Sequence, residues 1–274
     1  MKSTTQKALC TLCGVALGMM LTATAAASII EDDLNTAASA ANYTEVALGT
    51  DHTVTFGFDY SGIVGSAPNT TDGTTVGVHI TANETQGLDS AATLFHNTPV
   101  QANARASVDV YMGVTGTGGT TEFGSVGLGS TGNTPFTIFS PIAGDGTYFT
   151  TSSDGDTASA WRYSRPSGSD PSASVPVNNS ESDYLFGGTA ASLYTTVLPP
   201  DGIPANEWVT LSVVTANGKT AAFINDIMVV AGPSIGDGDG SNAGGAAPGG
   251  VASFSYADVL GAVAGPGNSQ FGIF

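Results

Sequence analysis

The stretch Glu207–Ala231 constrains this chain more than any other. Val209, Leu211 and Val213 alternate with Trp208, Thr210 and Ser212, the period of two that a half-buried strand requires. Asn217-Gly218 follows, a pair that tolerates positive φ and favours a tight hairpin. A second strand is expected over Lys219–Asn225, and Asn225-Asp226 turns it into a third over Ile227–Val230. Such a three-strand meander must bury its apolar face against another layer.

The same alternation recurs along the chain. Strands are expected over Tyr43–Leu48 and Thr53–Tyr60, the latter with Val54, Phe56, Phe58 and Tyr60 on one face. Val76, Val78 and Ile80 alternate in another. Over Arg105–Val114, Val108, Val110, Met112 and Val114 face inwards, and Arg105, Ser107, Asp109 and Tyr111 face the other way. A first strand and turn is expected over Ile29–Asn35, and shorter strands over Glu122–Leu128, Phe136–Phe139, Tyr148–Thr151, Ala158–Ser164, Val251–Val259 and Gln270–Phe274. Ala82–Asn103 reads as loop around a short strand at Thr93–Phe95, and Pro166–Asp183 reads as loop. Thirty-seven glycines suit short strands and turns and oppose long helices. The expected architecture is all-β, two packed antiparallel sheets with no helix longer than about three turns.

The N-terminus sets the compartment. Lys2 and Lys7 precede an apolar run, Ala8–Leu21, and a small-residue zone ending near Ala27, the layout of a secretory signal peptide over residues 1–27. The run is shorter than the ~20 residues of a spanning helix, so no membrane span is expected in the mature chain. Cys10 and Cys13 both fall in that leader, which leaves 28–274 without cysteine, as a single domain with no convincing internal linker. Beyond the leader, four basic residues (Arg105, Arg162, Arg165 and Lys219) stand against 23 acidic ones, a net of −19. That field disfavours nucleic acid and anionic lipid as partners.

With Trp208 opening a strand, the Asn217-Gly218 turn and the Asn225-Asp226 turn, the meander resembles that of concanavalin A-like jelly rolls, the lectin and glucanase fold that includes laminin-G-like domains. Phe254-Ser-Tyr-Ala-Asp258, followed by Gln270-Phe-Gly-Ile-Phe274, is similar to the closing strands of secreted bacterial members. Those often continue into Asp-Asn and a Pro-Glu-Pro sorting tail. Phe274 falls mid-strand by that comparison. The resemblance implies a two-sheet jelly-roll sandwich at the cell exterior.

Candidate chemistry is sparse. Laminarinase-type glucanases carry Glu-x-Asp-x-x-Glu on one strand, and the nearest match here is Glu181-Ser-Asp183-Tyr-Leu-Phe186. Phe186 stands where the second carboxylate of a glycosidase is needed, so no catalysis is expected. His52, His79 and His96 lack the close spacing of a zinc set. Asp237-Gly-Asp239-Gly-Ser-Asn242 places oxygen ligands at alternate positions, which suits Ca²⁺ but lacks the closing bidentate Glu; a solvated turn is the plain alternative.

Sugars offer apolar C–H faces to rings and hydroxyls to polar groups. Trp161 and Tyr163 alternate with Arg162 and Ser164, so both rings share one face, which Arg165 continues; core packing is the competing reading. Arg105, Asp109 and Tyr111 form a second candidate face, with one ring and one ion pair, or an ordinary solvated face. Trp208 falls on the open side of its strand, where packing under a loop is expected. The sequence thus points first to a non-catalytic glycan-binding module, calcium-assisted or not. A structural or adhesive matrix protein comes second, a glucanase-like hydrolase third.

Overall fold

The computed structural model describes residues 31–84, 90–101, 103–114, 122–137, 146–152, 161–166, 174–178, 197–198, 203–204, 206–216, 219–233, 251–258 and 269–273. The candidate leader, the Glu181–Phe186 segment, the Asn217-Gly218 turn and the proposed calcium ligands Asp237, Asp239 and Asn242 lie outside them.

Two seven-stranded antiparallel sheets stack as a jelly-roll sandwich. The first contains β1 (Tyr43–Leu48), β4 (Ser90–Pro99), β6 (Glu122–Ser130), β7 (Thr147–Ser152), β8 (Trp161–Pro166), β9 (Ser174–Asn178) and β15 (Val251–Asp258). Its order is β1-β4-β15-β6-β7-β8-β9. The second contains β2 (His52–Asp59), β3 (Val76–Ala82), β5 (Ala104–Val114), β12 (Trp208–Ala216), β13 (Lys219–Ile224), β14 (Ile227–Pro233) and β16 (Ser269–Ile273). Its order is β14-β13-β12-β5-β16-β3-β2. A small ribbon pairs β10 (Val197–Leu198) with β11 (Ile203–Pro204). The one described helical piece is a 3₁₀ turn over Ala37–Asn42.

The expected meander is present as β12, β13 and β14, and the chain then crosses to the first sheet and back, setting β15 between β4 and β6 and β16 between β5 and β3. The core lies where the two inner faces meet. Val78, Ile80, Val108, Val110, Met112, Val209, Leu211, Val213, Ala222 and Ile224 from one sheet pack with Ala92, Leu94, Val126, Leu128, Phe149 and Phe254 from the other. Burying such side chains supplies the main favourable term, about 1.5–3 kcal/mol each.

Several sequence expectations are corrected. Phe58 does not share the face of Phe56: the register shifts between them, and Gly57 at φ +72° opens a bulge. Phe56 pairs with Val78 on the core side, while Phe58 pairs with Gly77 and stacks on His79 at 4.5 Å on the outer side. The Ala82–Asn103 region holds a ten-residue strand, β4, rather than a short one, and the expected loop at Pro166–Asp183 contains β9. Residues 31–35, expected as part of a first strand and turn, are irregular, and of the strand expected over Phe136–Phe139 the described residues show a bridge at Thr137.

Candidate functional site

The outer face of the second sheet carries its most developed polar network. Strand alternation puts Val108, Val110, Val209 and Leu211 inwards, so Ser107, Asp109 and Tyr111 of β5 and Trp208, Thr210 and Ser212 of β12 face out. The register sets Tyr111 opposite Trp208, Asp109 opposite Thr210 and Ser107 opposite Ser212. One step further, Phe223 of β13 stands opposite Ser212, and Met228 of β14 opposite Phe223. Ser107, Ser212, Phe223 and Met228 therefore form a row across four strands, about 14 Å long at the usual strand spacing.

Arg105 lies over this row. Its Nε donates to Ser107 Oγ at 2.9 Å, and its Nη2 donates to Ser212 Oγ at 3.0 Å and to Asp226 Oδ1. The Ser107 and Ser212 hydroxyls meet at 2.8 Å. The guanidinium carbon sits 5.8 Å from the centroid of Phe223, within cation–π range. The Arg105 side chain is 48% exposed and that of Asp226 76%, so the pair is open to water and contributes little to stability. No described residue meets Arg105 Nη1 or Asp226 Oδ2. Asp226 and Asn225 hold positive φ in the β13–β14 turn, and Asn225 Oδ1 accepts from the Thr210 amide at 2.8 Å. The turn is thus fixed against the strand that carries Ser212.

The other half of the face is covered. Asp109 is only 3% exposed and accepts from the Asn69 amide (2.7 Å), Asn69 Nδ2 (2.7 Å) and Thr210 Oγ1 (2.6 Å). Trp208 packs under the same loop, as expected, and its indole Nε1 donates to Gly65 O at 2.8 Å. Its ring lies 5.5 Å from Tyr111 and 5.4 Å from Tyr60. Burial pushes the Tyr111 and Tyr60 hydroxyl pKa values up.

The expected ion pair of Arg105 with Asp109 is therefore replaced. Arg105 pairs with Asp226, 121 residues away, and Asp109 is satisfied by neutral donors. Of the Arg105, Asp109 and Tyr111 set, Arg105 alone stands open; Tyr111 is buried beside Trp208. Sequence reasoning missed Phe223, Met228 and Asp226. Alternation along β13 was the signal that could have found Phe223.

Trp161, Arg162, Tyr163 and Arg165 lie in β8, between β7 and β9. Trp161 stands opposite Thr151, Arg162 opposite Thr150, Tyr163 opposite Phe149 and Arg165 opposite Val175. Tyr163 thus shares a register row with the core residue Phe149, and Trp161 stands two positions along β8 from Tyr163. Their side chains lie outside the described part of the structure.

His79 faces outwards between Thr55 of β2 and Gly272 of β16, and burial lowers its pKa. His52 pairs with Glu45 at 2.9 Å. Among the described residues no group of three or more His, Cys, Asp and Glu side chains could hold a metal ion, and no helix is long and apolar enough to cross a membrane.

No protein-family model and no curated protein sequence matches the chain. Solved structures similar to it include a Bacillus subtilis protein of unknown function with a galectin-like fold, at 10% identity and a TM-score of 0.47, covering 88% of this chain and 91% of that one. A carbohydrate-binding module of Bacillus subtilis is similar at 8% identity and a TM-score of 0.38, covering 82% and 92%. A Bacillus licheniformis β-glucanase is similar at 7% identity and a TM-score of 0.38, covering 81% and 88%.

Proposed function

We propose that the chain is a secreted, non-catalytic module that binds a neutral glycan along the Ser107–Met228 row. The observation that carries this is Arg105, held over Phe223, with neither its Nη1 nor the neighbouring Oδ2 of Asp226 engaged among the described residues. Phe223 and Met228 offer an apolar ledge for the C–H face of a sugar. Nη1 donates and Oδ2 accepts, which suits two neighbouring hydroxyls. Asp226 neutralises the guanidinium, and the chain's net charge of −17 repels polyanions; both favour a neutral ligand. Trp161, Tyr163, Arg162 and Arg165 are a second proposed platform. Asp237, Asp239 and Asn242 are the proposed Ca²⁺ ligands, and the 1–27 leader is the ground for export.

The test is a glycan array with and without chelator, repeated on Arg105→Ala and Phe223→Ala. The wild type should bind neutral oligosaccharides. Arg105→Ala should lose about tenfold or more, the effect of deleting one hydrogen bond from a charged donor, at an unchanged melting temperature. A wild type that binds no neutral glycan, or a variant that binds equally, refutes the reading.

A second reading, an adhesive or matrix component, has one specific observation in its favour. β14 is an edge strand whose Ile227 and Met228 are 42% and 38% exposed, and such an edge can pair with another chain. Concentration-dependent association, lost in Met228→Lys, would favour it.

A further inference from the structure

We propose that Tyr60, Tyr111 and Trp208 form a covered ring platform that extends the open row by a further unit of a neutral oligosaccharide, with the 61–74 loop as its removable cover. This rests on the glycan reading of the open row.

The platform lies on the same face as that row, further along β5 and β12 from its Ser107–Ser212 end. Tyr111 and Trp208 lie four residues along β5 and β12 from the Ser107–Ser212 pair, an even step that keeps them on the same face about 13 Å away. Asp109 and Thr210 fill the space between. The groups that meet the loop are those a sugar would use: an indole N–H on Gly65 O, a phenol accepting from the Ala67 amide, and a carboxylate accepting from Asn69. Each of these bonds can be exchanged for one to a hydroxyl or to water.

The cover brings almost no apolar side chain of its own to the rings. Ala67 is the single buried residue between Ser61 and Gly73, and Ile63 points to solvent at 44% exposure. The loop is held by the hydrogen bonds named above, by Asn69 Nδ2 to Thr210 Oγ1 at 3.0 Å, by the Ile63 and Val64 amides on Tyr60 O and the Tyr60 hydroxyl on Thr74 O, and by exposed contacts of Thr71 with Asp33 and Asp72 with Asn35. A segment that contributes few apolar side chains and is fixed mainly by polar bonds opens more readily than the strands beneath it. A ligand that needs the open form has its apparent affinity scaled down by the fraction of molecules already open, so loosening the latch should tighten binding of long ligands.

Asn69 is exposed and its substitution spares the core, so Asn69→Ala is the variant of choice. Losing its bond to a carboxylate should raise the open population about tenfold. Backbone hydrogen exchange over 61–74 should speed up by about that factor while the strands stay unchanged, and Thr210→Val should move it the same way. Affinity should rise for long gluco-, manno- or galacto-oligosaccharides and not for their short members. Unchanged exchange over 61–74 in both variants overturns the cover. Faster exchange with no length-dependent gain in affinity overturns the platform but leaves the open site standing. A wild type that binds none of these sugars removes the glycan reading and this extension together.

Discussion

Gly127→Ala tests the packing of the first sheet's outer face. Gly127 sits in β6 between Tyr148 of β7 and Ser253 of β15. A Cβ there would lie 2.4 Å from Tyr148 Cε1, 2.5 Å from Cδ1 and 2.7 Å from Ser253 Oγ. Ordinary carbon contacts are about 3.5–4.0 Å, so the ring must retreat by roughly 1 Å. It has little room to do so: Tyr148 is fully buried and stacked on Phe136 at 3.8 Å and 10°. Phe136 is itself anchored, its amide donating to Thr93 Oγ1 at 2.8 Å. Overpacking of this kind costs about 1–3 kcal/mol, and the lost freedom of the unfolded glycine returns only about 0.4–1 kcal/mol. The net of about 1–2 kcal/mol corresponds to a fall in melting temperature of roughly 2–8 °C for a domain of this size. Calorimetry reads it directly. Gly62→Ala is the control, since nothing lies within 4 Å of its Cβ position, and it should melt at or slightly above the wild type. A Gly127→Ala protein as stable as the wild type would mean that the Tyr148–Phe136 stack is not a fixed element.

Other outcomes follow from single groups. His79 has a pKa lowered by burial, partly countered by Glu84; the unfolded chain therefore binds the proton more readily, and stability should fall as pH drops from the ordinary value of 6.5 through the folded one. His79→Phe should flatten that acid-side loss in denaturant melts, and an unchanged slope would clear His79. If Asp237, Asp239 and Asn242 hold Ca²⁺, saturating metal should raise the melting temperature, by about 2.7 kcal/mol of stabilisation at a hundredfold excess over Kd. Asp237→Asn with Asp239→Asn should abolish that rise, and identical melts with chelator and with calcium would remove the site.

Where a strand is exposed on one face and regular along its length, alternation alone assigned its sides, as with Val108 and Val110 or Val209 and Leu211. It failed in three places for physical reasons. At β2 the pattern Val54, Phe56, Phe58 reads as one face only if Gly57 is an ordinary residue. A glycine inside a strand pattern is itself a bulge signal, and here its positive φ turns Phe58 to the opposite side. A side chain added at Gly57 would also press on the Ala37 amide at 3.1 Å, so the bulge seats the 3₁₀ turn against the sheet. At β4, Ser90–Phe95 is buried on both faces, and a strand covered on both sides loses the period of two. At β9, Pro176 spoke against a strand, yet β9 is an edge, where a missing N–H is tolerated.

The site was legible only as single residues. Arg105, Asp109 and Tyr111 share one face of one strand, and that much follows from spacing. What each of them touches depends on neighbours that no local pattern names: Asp226 arrives at Arg105 across β12 and β13, and Asn69 arrives at Asp109 from a loop 40 residues earlier. The same outward face is thereby split in two. At one end the polar groups face water, with a ring beneath a paired guanidinium. At the other end the loop's own backbone satisfies them and hides three rings. A charge left on Asp109 without Asn69 would be costly at 3% exposure, which ties the fate of the carboxylate to the loop. Any ligand that reaches the covered half must replace those donors as it lifts them, so a hydroxyl-rich ligand is admitted there where an apolar one of equal size is not.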